Sequence, residues 1–185
     1  MLPAKSFAAE NKGMGFGLHL GSHLGFGKVA NETNSVQNRT VGAMDLQAMP
    51  AFRYDAFMLG LMMEYRLLGQ LDKPINVGYT DLSGSEFLYG PGLAAHFSSL
   101  KLLVAYVLSS SYTVSNPGTS IHEQAYSSGE GIEAILGMEI AASWYFDFIF
   151  SQLSYSKVTS DSIESDISAN KLSHWNFGFG VSYSY

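Results

Sequence analysis

Apolar and polar side chains alternate along most of this chain with a period of two. Successive side chains of a strand point to opposite faces, so each alternating run predicts a strand with one apolar face. Eight runs can be marked. The first, 13–27, sets Met14, Phe16, Leu18, Leu20, Leu24 and Phe26 against Gly15, Gly17, His19, Gly21, His23, Gly25 and Gly27. The second, about 44–54, groups Leu46, Ala48, Pro50, Phe52 and Tyr54, and the third, about 56–68, groups Phe57, Leu59, Leu61, Met63, Tyr65 and Leu67. The fourth, about 87–97, shows Phe87, Tyr89, Pro91, Leu93, Ala95 and Phe97 together; Pro50 and Pro91 predict bulges or strand ends, because proline fits poorly inside a sheet.

The fifth run, about 100–112, aligns Leu100, Leu102, Val104, Tyr106, Leu108 and Tyr112, and the sixth, about 131–142, aligns Ile132, Ala134, Leu136, Met138, Ile140 and Ala142. The seventh, about 145–155, is the least regular, with Phe146, Phe148 and Phe150 on one face. The eighth carries Trp175, Phe177, Phe179, Val181, Tyr183 and Tyr185 opposite Asn176, Gly178, Gly180, Ser182 and Ser184. Each run is near or above the 9–11 residues a tilted strand needs to cross a bilayer. Tight connections near Asp55, Ser98-Ser99 and Ser143-Trp144 alternate with long ones at about 28–44, 69–86, 113–130 and 156–171. Short turns at one end and long loops at the other are the plan of a membrane barrel with periplasmic turns and extracellular loops.

Charge placement tests the faces independently, since they were assigned from apolar residues. Arg53, Glu64, Arg66, Lys101, Glu133, Glu139 and Asp147 fall inside the runs, all on the face opposite the apolar one. An outward Arg or Lys at the bilayer midplane costs roughly 2–4 kcal/mol, which gives the sorting a physical cause. A soluble calyx with the apolar face inside would leave an outer wall of Gly, Ala, Ser and Met, too sparse in charge for a soluble surface. The prediction is an all-β, eight-stranded antiparallel up-and-down transmembrane barrel over 13–185, preceded by a periplasmic segment at 1–12. Aromatics band near both strand ends: Phe52, Tyr54, Phe57, Phe97, Trp144 and Tyr185 on the tight-turn side, Phe26, Tyr65, Tyr89, Tyr112 and Trp175 on the loop side.

Composition agrees with this picture. Charged residues are 14% of the 185, aromatics also 14%, and no stretch approaches the ~18 apolar residues of a spanning helix. There is no cysteine, so disulfides and thiolate sites are excluded, and the net charge of -6 argues against nucleic acid. The first residues lack a basic-then-apolar signal, so the chain reads as a mature exported form with Met1 added or retained.

The lumen should hold three cations and four carboxylates, nearly neutral, with Lys101 and Glu139 as a cross-strand pair. Buried charges need partners because desolvation costs several kcal/mol each. His19, His23, His96 and His174 also point inward; His19 and His23, about 13 Å apart at ~3.3 Å per residue, cannot chelate one ion together. No catalytic motif, cofactor site or metal site is evident. Once the barrel closes, Gly15, Gly17, Gly21, Gly178 and Gly180 should form one thinned patch of inner wall, with Gly90 and Gly92 thinning another. Two readings of these glycines stay open: room for inward side chains, or a narrow water path. The loops sum to neutral at 28–45, -2 at 69–86, -2 at 113–130 and -1 at 156–171, an acidic rim suited to divalent-cation bridging or a basic partner.

The whole span from about 13 to 185 resembles the small eight-stranded outer-membrane barrels of the OmpA-membrane-domain, OmpX and OmpW sort. The resemblance rests on the terminal Trp175–Tyr185 strand, the eight runs with three tight turns, and the Phe52-Arg53-Tyr54 stretch before Asp55. It implies a bacterial outer-membrane location, outer-membrane lipid and lipopolysaccharide as surroundings, and the barrel-assembly machinery as a partner through the C-terminal strand. Such barrels anchor, adhere, pass small solutes or modify lipid, so the resemblance implies architecture and not activity. The OmpW sort has a hydrophobic lumen, and the charged lumen here points away from it. The expected function is that of a non-enzymatic, monomeric structural or surface-interaction barrel with an unidentified extracellular partner; a narrow channel is the alternative, and a lipid-A-modifying enzyme fits less well.

Overall fold

A computed structural model describes residues 13–31, 39–71, 83–115, 124–160 and 162–185. The segment 1–12, residues 32–38, 72–82 and 116–123, and Asp161 lie outside the described residues. The strands are β1 (Met14–Asn31), β2 (Arg39–Tyr54), β3 (Phe57–Gln70), β4 (Ser83–Phe97), β5 (Leu100–Val107), β6 (Ser109–Ser115), β7 (Gln124–Ala141), β8 (Trp144–Ser160), β9 (Ile163–Asp166) and β10 (Leu172–Ser184). β5 and β6 are two halves of one wall strand, and β9 hairpins back on the top of β8. All pairings are antiparallel, and β10 closes on β1, giving a ring of eight.

Several strands run farther toward the loop side than the alternation predicts, because polar residues there still pair. Arg39–Ala43, Ser83–Glu86 and Gln124–Glu130 are strand, and the predicted loop 156–171 contains the end of β8 and all of β9. The tight turns centre on Asp55, Ser98 and Ser143, each with positive φ. Asp and Ser tolerate this left-handed backbone better than bulky residues do.

Register sets the barrel's shape. Following paired residues round the ring leads from Gly15 through Arg53, Met58, Ala94, Leu103, Ile135, Ile149 and Gly178 back to Gly25 on β1, ten residues farther along. A stagger of ten across eight strands, at ~3.3 Å per residue and ~4.7 Å between strands, tilts the strands by about 40°. The apolar positions named above face outward: Phe52, Leu59, Leu93, Leu136 and Phe179 are among the exposed residues. The wall therefore presents large apolar side chains to its surroundings and keeps its buried charged groups, with Met, Leu and Ile between them, in its interior, the arrangement of a membrane barrel.

One outward assignment is wrong. Tyr112 is buried inside the lumen, 4% exposed. Val107 and Ser110 both face inward, so the inward set switches from odd to even numbers at the break on Leu108. β5 and β6 also slip by one residue against β4 across this break, which lies opposite Gly90-Pro91. Proline supplies no N–H to the ladder, and a one-residue slip flips every later side chain. Pro50, by contrast, leaves a gap in the β2–β3 pairing between Ala48 and Ala51 without changing register.

Candidate functional site

The lumen is filled by stacked polar and apolar groups. Nearest the tight turns, the Arg53 Nε donates to the Asp55 carbonyl at 3.2 Å, and His96 Nε2 lies 3.0 Å from Ser184 Oγ, its ring against Tyr145. Lys101 does not pair with Glu139. Its Nζ lies 3.0 Å from Asp147 Oδ1 and 2.5 Å from Ser182 Oγ. Glu139 sits half-buried at the turn, where its Oε1 is 3.4 Å from the Ser143 amide. Register explains the exchange: Gly137, with no side chain, lies between Lys101 and Asp147 and lets them meet across β7.

Above this, His23 bridges two strands. Its Nδ1 is 2.6 Å from Asp45 Oδ1 and its Nε2 3.3 Å from Asp147 Oδ2. Both ring nitrogens can donate only when the ring is an imidazolium. His19 Nε2 meets Gln47 Oε1 at 2.9 Å, and Gln47 in turn donates to Glu133 and, at 3.4 Å, to Glu64.

Arg66 is the hub of the next layer. Its guanidinium lies 2.5 Å from Glu64, 2.8 Å from Glu86 and 3.3 Å from Glu133, with every one of these side chains fully buried. Glu86 also receives His174 Nδ1 at 2.9 Å and a hydrogen bond from Tyr155. Over Glu86 and His174 sits an aromatic cap of Tyr112, Tyr126 and Tyr155, with Tyr112 stacked on both Tyr126 and His174. Between these groups, Met49, Met58, Met62, Leu88, Leu103, Ile135, Ile149 and Leu153 are all at most 1% exposed.

Asp45, Gln47 and Glu86 belong to this network and were missed from the sequence. Asp45 and Gln47 lie within the second run and share parity with Arg53, and Glu86 stands one residue before the fourth run and shares parity with His96; parity alone places all three inward. With Asp45 and Glu86 inside, the lumen holds six carboxylates against Arg53, Arg66 and Lys101, two more carboxylates than expected, and His23 and His174 each lie against one or two of them. The loop sums at 28–45 and 69–86 each lose one negative charge accordingly.

Several of these glycines make room for inward side chains, while a Cβ on Gly15 would meet nothing within 4 Å. A Cβ on Gly21 would lie 2.9 Å from the His23 ring, on Gly17 2.8 Å from Met58, on Gly178 2.9 Å from Ile149 and on Gly92 2.7 Å from Met49. Among the described residues no group of three His, Cys, Asp or Glu side chains could hold a metal ion. Outside the wall, at the β8–β9 hairpin, Lys157 and Glu164 pair at 2.7 Å. That hydrogen bond raises the Lys157 ammonium's pKa, and hydrogen bonding from Ser168 holds Asp166 below the usual carboxylate range.

Comparison of the sequence with family models and with curated proteins finds no match. Solved structures do match in fold. Neisserial surface protein A (NspA) superposes with a TM-score of 0.65 at 13% identity, covering 93% of this chain and 99% of that one. Ail, the attachment invasion locus protein of Yersinia pestis, reaches 0.47 at 12% identity over 93% of this chain and 99% of that one. OprG of Pseudomonas aeruginosa reaches 0.46 at 10% identity over 96% and 98%. The likeness to NspA shows the fold, that of the small eight-stranded outer-membrane barrels.

Proposed function

We propose that this chain is an integral barrel of a bacterial outer membrane, with a plugged lumen, that acts as a structural or surface-interaction protein through its loops. The observation that carries this reading is the filled cross-section. The Arg66 hub, the His23 bridge and the Lys101–Asp147 pair span the interior, and eight apolar side chains at most 1% exposed occupy the space between them. An eight-stranded barrel is only just wide enough for its own side chains, and here they use it. The tight turns then face the periplasm, and the long loops, with the β8–β9 hairpin, face outward where contacts with a partner are made.

The acids and bases around Arg66, His23 and Lys101 are fully buried and engaged with one another, out of reach of a substrate. That engagement supports a non-enzymatic role, and the proposal includes lipid and lipopolysaccharide around the wall and the barrel-assembly machinery at the terminal strand.

Planar-bilayer recording tests the plug. The expected record shows no stable single-channel steps. Reproducible steps whose size changes in Arg66→Met or Glu133→Gln would overturn the reading in favour of a narrow solute channel. Altered lipid A in a host expressing the barrel would overturn the non-enzymatic part separately.

A further inference from the structure

The outer wall has a dent at its closing seam. On β1 the outward Ser22 interrupts Leu20 and Leu24, and it lies between Leu46 on β2 and Val181 on β10. One row lower, Leu20 pairs with Tyr183 and Tyr183 with Trp144, whose rings meet edge-on at 5.6 Å. The small side chain among large ones leaves an open groove of about 480 Å³ lined by Leu20, Gly21, Ser22, Trp144, Val181 and Tyr183.

Position and chemistry identify what fits it. The groove lies between the two aromatic girdles and runs down to Trp144, so within the membrane it faces the hydrocarbon of the leaflet on the tight-turn side. Its walls are almost wholly apolar, and the residues at its lower end carry an indole N–H and a phenol O–H at the depth where such polar tips meet headgroups. The six lining residues suffice for one acyl chain, whereas a second copy of the chain, whose stable interface takes ~20–30 residues a side, would have to cover the flanking wall as well. The volume falls within the ~300–1,000 Å³ of small-molecule sites.

We propose that this seam groove is a lipid site that holds one acyl chain of a phospholipid, with the headgroup level with Trp144 and Tyr183. The proposal rests on the membrane location argued above. A chain lying over Ser22 would cover the β1–β10 seam, the pairing that closes the barrel.

The chain has only two tryptophans, Trp144 at the groove and Trp175 at the loop-side girdle, so W175F and W144F each leave one reporter. Delipidated barrel in micelles is titrated with a phosphatidylcholine whose acyl chains are dibrominated, a contact quencher of indole. The expected result is saturable quenching of Trp144 near one lipid per barrel, at least twofold deeper than that of Trp175. Ser22→Phe in the W175F background should remove the difference, while Val104→Phe on another outward-facing strand leaves it. Parallel quenching of both tryptophans, or no effect of Ser22→Phe, would overturn the site. So would quenching that vanishes on dilution together with a dimer seen by sedimentation. W175F leaves every lining residue of the groove in place, so the saturable quenching of Trp144 in that variant decides even where the Ser22 variant folds poorly. Absence of quenching at both tryptophans in fully brominated vesicles would instead sink the membrane location itself.

Discussion

Arg66→Met is the most discriminating perturbation of the plug. Arg66 is the shared cation of Glu64, Glu86 and Glu133, all with fully buried side chains. Of the fully buried ionisable side chains among the described residues, five are carboxylates (Asp45, Glu64, Glu86, Glu133 and Asp147), while only Arg66 and Lys101 are Lys or Arg. Losing one of three carboxylates is therefore a smaller insult than losing the cation between them. Removing one partner of a buried pair costs ~3–5 kcal/mol because the remaining charge stays buried and uncompensated. We expect that loss for Arg66→Met. Glu133→Gln keeps a polar group of the same shape beside Gln47 and leaves Arg66 two carboxylates, so about 1 kcal/mol or less should be lost. In the Arg66→Met background the same Glu133→Gln should restore stability, a coupling of at least ~1 kcal/mol. Equilibrium denaturant unfolding in micelles, followed by tryptophan fluorescence, measures all three. Equal losses for the two single variants, or a double variant that loses their sum, would refute the hub.

Other expectations follow from the wall. Gly178→Ala places a Cβ 2.8 Å from the Leu24 carbonyl and 2.9 Å from Ile149, so it should cost about 1–3 kcal/mol of overpacking. Gly15→Ala meets nothing within 4 Å and should be neutral or gain up to about 1 kcal/mol through the unfolded chain; the same unfolding assay ranks them, and equal effects would contradict the packing. Leu61→Arg, outward on β3 midway between Phe57 and Tyr65, should cost roughly 2–4 kcal/mol in vesicles, and a neutral result would argue against lipid contact there.

Strand identity and facing were legible because alternation is a property of the chain itself. Side chains flip at every strand residue whatever the neighbours are, so Phe177, Phe179 and Val181 had to share a face once that segment was extended. The same local rule placed Glu64, Arg66, Glu133 and the four inward histidines on the opposite face. It failed at Tyr112, where the slip opposite Pro91 is a matter of pairing between strands and leaves no mark in the run of residues. Partner choice was hidden for the same reason. Lys101 and Glu139 lie on adjacent strands with suitable parity, yet Lys101 reaches past Gly137 to Asp147. The glycine patch was visible as a row of missing side chains, but whether it stayed open depended on where His23, Met58 and Ile149 pointed. Period and parity follow from backbone stereochemistry and are written locally. The meeting of His23 with Asp45 and Asp147, and of Arg66 with three glutamates, follows from a ten-residue stagger that only the closed ring defines.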